Sequence, residues 1–108
     1  MTPDEILRTE YSEEFDRLRK NRMIASYFRY GPIKENAQAG MVDEIASLEK
    51  RLALYKQTGN TELLIDVANF AMNEFMYPQH PKAHFRVTDH DESPGVVGIY
   101  INEIKNSY

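Results

Sequence analysis

Four side chains that could bind a polar ligand recur at regular spacing between residues 59 and 78. They are two carboxylates and two carboxamides, four, three and four residues apart: Glu62, Asp66, Asn69 and Asn73. At about 100° per residue of a helix, they share one stripe roughly 60° wide. The stripe is either an edge that faces water or the lining of a polar site. Aspartate and asparagine lower helix stability, which favours the site.

The helix that carries this stripe is apolar around most of its circumference, which predicts a central position in the fold. Gly59 predicts the end of the preceding helix, and Asn60 or Thr61 can cap the new one. Pro78 predicts its end. The apolar residues between these signals are Leu63, Leu64, Ile65, Val67, Ala68, Phe70, Ala71, Met72, Phe75 and Met76.

A second group of candidate ligand-binding residues is cationic and aromatic. Arg22 interrupts an apolar line at helical spacing, so we expect it to meet an anion, either a carboxylate of the stripe or a phosphate of a ligand. The other cations near it are interpreted as a solvated face. The candidates in this group are Arg22, Tyr27, Arg29, Tyr30 and, further along, Lys34.

The elements that would position these residues are helices. Thr2, Pro3 and Glu5 form a helix start, and residues 3–30 read as one long helix or two nearly continuous ones. Gly31 and Pro32 break that pattern and predict a loop through residue 40. A helix follows over residues 41–57 and a short turn after it, so the next helix should pack antiparallel. We expect this to bring Asp43, Glu44 and Ser47 to the side of Asp66 and Asn69.

The residues after Pro78 have a different character. They contain Pro81 and Pro94, all three histidines and the acidic stretch Asp89, Asp91 and Glu92. His80 and His84 have the spacing of helical metal ligands, but Pro81 argues against a helix there, so a surface loop is favoured. Residues 93–105 fit a short last helix, and residues 96–101 fit a strand equally well. The prediction is one all-α domain, a small helical bundle with its core over residues 3–77.

Composition bounds the classes of function. The chain has 108 residues, a net charge of -4 and no cysteine. Disulfides and thiolate zinc sites are therefore excluded, and a broadly basic nucleic-acid surface is not expected. No apolar run reaches the length of a membrane span, and no signal-peptide pattern is present, so we expect a cytoplasmic protein without membrane or extended nucleic-acid partners. A small core beside many large apolar residues favours a homo-oligomer.

Residues 40–76 resemble the MazG-type all-α nucleoside triphosphate pyrophosphohydrolases, whose two acidic helix motifs hold magnesium on a triphosphate. Asp43 and Glu44 match the first motif, with Ser47 in place of its third acid. Asp66 matches the second, with Leu63 in place of its glutamate and Glu62 one residue away. The resemblance implies that Glu44 and Asp66 are catalytic, and that Mg²⁺ is held by Asp43, Glu44, Glu62 and Asp66. The helix predicted between Gly59 and Pro78, with the flanking sequences Tyr30-Gly31-Pro32 and Glu92-Ser93-Pro94-Gly95, also resembles small phage and prophage proteins, for which the host cytoplasm is expected.

Three functions are compatible with the sequence, and the acids missing from the two motifs bear on the choice between the first two. Magnesium needs carboxylate oxygens to hold it and to activate water, and carboxamides do not replace them as bases. The sequence is compatible with a pyrophosphohydrolase, and with a non-catalytic phage protein that sequesters a signalling nucleotide of host defence. In both, Arg22, Arg29 or Lys34 would meet phosphates, tyrosines would stack on the base, and Asn69 and Asn73 would bind the ligand. A third hypothesis is an inhibitor of a host enzyme that docks through the acidic stretch.

Overall fold

The computed structural model describes residues 1–88, and within them the chain is all-α, as predicted. These residues form five helices and no strand: α1 (Pro3–Glu10), α2 (Glu13–Tyr30), α3 (Ile33–Gln38), α4 (Glu44–Thr58) and α5 (Glu62–Met76). They divide into two compact units, Ser12–Ala83 in one and Met1–Tyr11 with residues 84–88 in the other. The acidic stretch from Asp89 and the alternatives for residues 93–105 lie outside the described residues.

Residues 3–30, for which one long helix or two nearly continuous helices were predicted, form two helices. The Thr2 hydroxyl accepts a hydrogen bond from the Glu5 backbone N–H at 3.2 Å, which is the predicted cap of α1. Tyr11 then adopts extended backbone (φ -123°, ψ 142°) and ends that helix. The Ser12 hydroxyl accepts from the Phe15 N–H at 3.0 Å and so begins α2. A serine in this position favours a new helix start over continuation of the old one.

Helices α4 and α5 form an antiparallel hairpin. Gly59 lies in the left-handed region (φ 71°), and its N–H donates to the Tyr55 carbonyl at 2.7 Å, closing α4. The Asn60 side-chain oxygen accepts from the Glu62 N–H at 3.1 Å, whereas Thr61 makes no side-chain cap bond. Of the two predicted caps, Asn60 is therefore the one that is used. The short turn returns the chain along α4.

Helix α5 is central in the unit Ser12–Ala83, since both α4 and α2 pack on it. It supplies the buried apolar side chains of the described residues, Leu63 and Ile65, as well as the buried Asn69. The Arg19 side chain of α2 contacts α5, and one of its guanidinium nitrogens lies 3.1 Å from the Met72 sulfur. Neighbours on more than one side account for the apolar residues over most of α5, whereas Phe75 and Met76 near its end are 73% and 44% exposed.

Two predicted boundaries were wrong. The stretch predicted to be a loop from Gly31 to Gly40 contains α3, and the Gln79 side chain donates to the Ala37 carbonyl at its end (3.2 Å). Helix α4 begins at Glu44 rather than Met41, because the Asp43 carboxylate accepts from the Ala46 N–H at 3.0 Å and caps the helix there.

Candidate functional site

A cavity of about 730 Å³ lies between α2 and α4 in the unit Ser12–Ala83, with α5 along it. Helix α3 and the residues just before α4 complete its lining. Sites for small organic ligands are typically about 300–1,000 Å³, so this volume suits a ligand of nucleotide size. The lining combines carboxyl groups and carboxamides, which the α5 stripe supplies in part, with guanidinium groups and tyrosine rings like those of the second group of candidates.

Three of the four residues of the α5 stripe line the cavity: Asp66, Asn69 and Asn73. The fourth, Glu62, is not among the lining residues. Its side chain is 67% exposed, and its carboxylate lies 4.0 Å from a guanidinium nitrogen of Arg22. The stripe is therefore the wall of a cavity over its last three members and faces water at its first.

Asp66 joins three helices through two arginines. The Arg22 guanidinium of α2 donates to both carboxylate oxygens at 3.2 Å, and Arg51 of α4 lies 3.6 Å away. Hydrogen bonding and charge attraction from Asp66 raise the pKa of Arg22. The predicted anion partner of Arg22 is thus a carboxylate of the stripe. Arg51 was missed, although its spacing from Glu44 and Ser47 (seven and four residues) places all three on one face of α4.

Glu44 is a buried carboxyl group in the cavity lining, with only 4% of its surface exposed. Its Oε2 accepts a hydrogen bond from the Asn73 side chain at 3.3 Å. Burial raises the pKa of Glu44, the charges of Glu74 and Asp43 add to that rise, and the bond from Asn73 opposes it. The cavity therefore contains a carboxyl group that is more readily protonated than an exposed one.

The Asn69 side chain has an acceptor atom that no residue in the described part of the chain engages. Its side-chain nitrogen donates to the Arg19 carbonyl at 2.9 Å. Because a carbonyl can only accept, the amide nitrogen must face it, which fixes the orientation of the carboxamide. The Oδ1 atom is then buried and receives no hydrogen bond within residues 1–88. A buried acceptor left in this state costs about 1–3 kcal/mol, so the group requires a functional or structural explanation.

The aromatic wall of the cavity comes from the end of α2. Tyr27, Arg29 and Tyr30 all line it, and the Arg29 guanidinium lies 5.4 Å from the centre of the Tyr30 ring. Arg29 forms no ion pair with any residue that the structure describes, unlike Arg22 and Arg51. Lys34 is exposed on α3 and is not part of the lining. Asn36 is the polar residue of α3 that lines the cavity instead, and its side chain donates to the Tyr30 carbonyl at 2.9 Å.

The four acids named as magnesium ligands do not form one donor set. Asp43 caps α4, Glu44 is buried beside Asn73, Asp66 is bound to two guanidinium groups, and Glu62 points to water. Within residues 1–88, no three histidine or carboxylate side chains converge as metal ligands. As arranged here, these residues do not fit a magnesium ion, and magnesium binding stays a prediction of the resemblance.

Comparisons with family models, curated proteins and solved structures found no match for this chain. The resemblance to the MazG-type enzymes therefore stays a prediction from the two short acidic motifs. Across the part of the chain that the structure covers, no helix has both the length and the hydropathy of a membrane span.

Proposed function

We propose that the chain binds a phosphorylated nucleotide in the cavity beside α5. The observation that carries this proposal is the joint lining of one nucleotide-sized space by guanidinium groups and by tyrosine rings. Guanidinium groups bind phosphate through paired, charge-assisted hydrogen bonds, and tyrosine rings stack on bases. Arg29 is the first candidate for phosphate, since no carboxylate among residues 1–88 engages it.

Binding without hydrolysis is the form of the proposal that the arrangement of the acids supports. A pyrophosphohydrolase of the MazG type would need Asp43, Glu44, Glu62 and Asp66 to hold Mg²⁺ against the phosphates. Asp66 is instead neutralised by Arg22 and Arg51, and Asp43 is used as a helix cap. Together with the resemblance to phage proteins, this favours a protein that sequesters a nucleotide in the host cytoplasm, for example a defence signal.

Hydrolysis is the second candidate function, and Glu44 is the observation that favours it. A buried carboxyl group with a raised pKa in a ligand-sized cavity has the properties of a general acid or base. In that case Glu44 and Asp66 would be the catalytic residues, as the resemblance to the MazG-type enzymes implies.

Replacing Asp66 separates the two functions. Asp66→Asn removes the carboxylate that occupies Arg22 and Arg51, so a protein that only binds should hold phosphorylated nucleotides more tightly than the unmodified chain does. An enzyme that uses Asp66 should lose turnover. The measurement is the shift in melting temperature with a panel of nucleoside mono-, di- and triphosphates and cyclic nucleotides, with and without Mg²⁺, followed by mass spectrometry of the recovered ligand.

Glu49→Gln is the matched control, since Glu49 is exposed on α4 and does not line the cavity. It removes one negative charge and should leave the nucleotide shifts unchanged. If no nucleotide shifts the melting temperature of the unmodified chain or of Asp66→Asn, the proposal fails. If pyrophosphate is released with Mg²⁺ and Asp66→Asn abolishes the release, the chain is a hydrolase.

A further inference from the structure

The second half of α2 has two opposite faces. One lines the cavity with residues such as Arg22, Ser26 and Arg29. The other carries Ile24 and Phe28, one helical turn apart, which are 56% and 82% exposed. At about 100° per residue, this pair points roughly opposite to Ser26 and Arg29. We call Ile24 and Phe28 the outer face of α2.

The Phe28 ring makes an edge contact with Tyr27 of the same helix (ring centres 5.8 Å apart), and both Ile24 and Phe28 remain more than half exposed. Hydrogen bonds to α5 come from Arg19 and Arg22, near the middle of the helix. Beyond Arg22, the Asn36 side chain binds the Tyr30 carbonyl from the cavity side. The wall that presents Tyr27, Arg29 and Tyr30 to a ligand is therefore backed by exposed apolar side chains.

The unit Ser12–Ala83 is too small to leave such residues in water without cost. Its buried apolar side chains are Leu63 and Ile65, and the chain has no cysteine for a disulfide. Domains of this size with so small a core are commonly stabilised by oligomerisation. The partner that is present whenever this chain folds is another copy of it.

We propose that a second copy of the chain packs on the outer face of α2 about a twofold axis, so that Ile24 and Phe28 of both copies form one apolar contact. A twofold axis between these residues makes the two α2 helices antiparallel and the contact self-complementary. It also places Lys20 of each copy near the carboxyl end of the partner's α2, where the helix dipole favours a cation. The second copy then supports the cavity wall from outside.

Sedimentation velocity of the full chain tests this arrangement. The unmodified chain should sediment as a dimer or a multiple of one, and Phe28→Glu should raise the dimer dissociation constant by at least about 30-fold, as expected for the loss of a central contact. Gln57→Glu is the control, since it adds the same charge at an exposed position of α4 and should leave the dimer intact. A monomeric unmodified chain, or a dimer that Phe28→Glu does not weaken, overturns the proposal.

Cross-linking gives a second measurement that does not depend on a destabilising charge. Because the chain has no cysteine, Phe28→Cys creates a single thiol, and a short bismaleimide should join two copies through it. Gln57→Cys should remain uncoupled under the same conditions. Equal coupling of the two variants argues against a contact at the outer face, and so does a lack of coupling in Phe28→Cys at a protein concentration where that variant sediments as a dimer. Neither experiment uses a nucleotide, so the result stands whether or not the cavity binds one.

Discussion

At Glu44, burial outweighs the one hydrogen bond that favours the charged form. Only 4% of the residue is exposed, and the bond from Asn73 does not cancel the loss of water, so the pKa is raised. The folded state therefore holds this proton more tightly than the unfolded state does. Ionised Glu44 costs folding free energy, and that cost appears as the pH rises above the ordinary value of 4.5 and through the folded pKa.

Glu44→Gln should remove this dependence on pH. Glutamine keeps an oxygen for the bond from Asn73 and carries no charge, so the variant should gain free energy of unfolding relative to the unmodified chain as the pH rises from acid toward neutral. Urea unfolding across that range measures the difference. Glu49→Gln, which removes the same charge at an exposed position of the same helix, is the control with which the difference is compared. A constant difference for Glu44→Gln would contradict the raised pKa.

Asn69 allows a prediction in which two effects oppose each other. Asn69→Leu removes the bond to the Arg19 carbonyl, at a cost of about 0.5–1.5 kcal/mol, and also removes the buried Oδ1 that has no donor, which gains about 1–3 kcal/mol. The net change in the free energy of unfolding should therefore lie between a loss of about 0.5 kcal/mol and a gain of about 2.5 kcal/mol. Asn36→Leu is the control, because that change deletes a bond to the Tyr30 carbonyl without relieving a buried acceptor, so it should destabilise the chain.

A large loss of stability in Asn69→Leu would show that Oδ1 has a donor in solution. Nucleotide binding gives the complementary information, since Asn69 lines the cavity. A variant that keeps its stability but loses the nucleotide-dependent shift in melting temperature would assign Asn69 to the ligand.

Among the elements, the two helix ends at Gly31 and Gly59 need glycine to different degrees. Gly59 has ordinary left-handed geometry (φ 71°, ψ 12°), which asparagine also adopts. Gly31 has φ 87° and ψ -174°, a region that is essentially restricted to glycine. No atom lies within 4 Å of a Cβ built at either position, so any cost comes from the backbone alone.

Gly59→Asn should therefore cost less than about 1 kcal/mol, whereas Gly31→Asn should cost about 1–3 kcal/mol. Urea unfolding of the two variants provides the comparison. Since Gly31 also lines the cavity and joins α2 to α3, its replacement should also weaken the nucleotide binding that we propose. Equal costs at the two positions would contradict the backbone geometry of Gly31.

The helices also show which features of the fold and the site can be predicted from the sequence and which cannot. Residue type and spacing predicted the α4–α5 hairpin, the central position of α5 and the anion at Arg22, because periodicity and capping act locally. The same reasoning missed α3, which has no side-chain cap, and missed Arg51, whose role depends on how α4 packs against α5. It included Lys34 and Glu62 in the site, since a helical pattern gives an angle about the axis but not the distance to a neighbouring helix.

At the scale of the whole molecule, the described residues bury little apolar surface. The buried apolar side chains are Leu63 and Ile65, each still 5–8% exposed, while Phe28 is 82% exposed. Fully burying one such side chain contributes about 1.5–3 kcal/mol. Since the net stability of a domain is about 5–15 kcal/mol, covering Ile24 and Phe28 on two copies would supply a substantial share of it.

If the second copy supplies that share, stability must depend on protein concentration. Unfolding of a dimer to two chains is opposed by mass action, and each tenfold increase in concentration adds about 1.4 kcal/mol per dimer. For a protein of this size, the melting temperature should rise by about 3–5 °C per tenfold increase. Phe28→Glu should melt at a lower temperature that does not change with concentration, while Gln57→Glu should keep the slope. A melting temperature of the unmodified chain that is the same at all concentrations would mean that the outer face of α2 contributes nothing through a second copy.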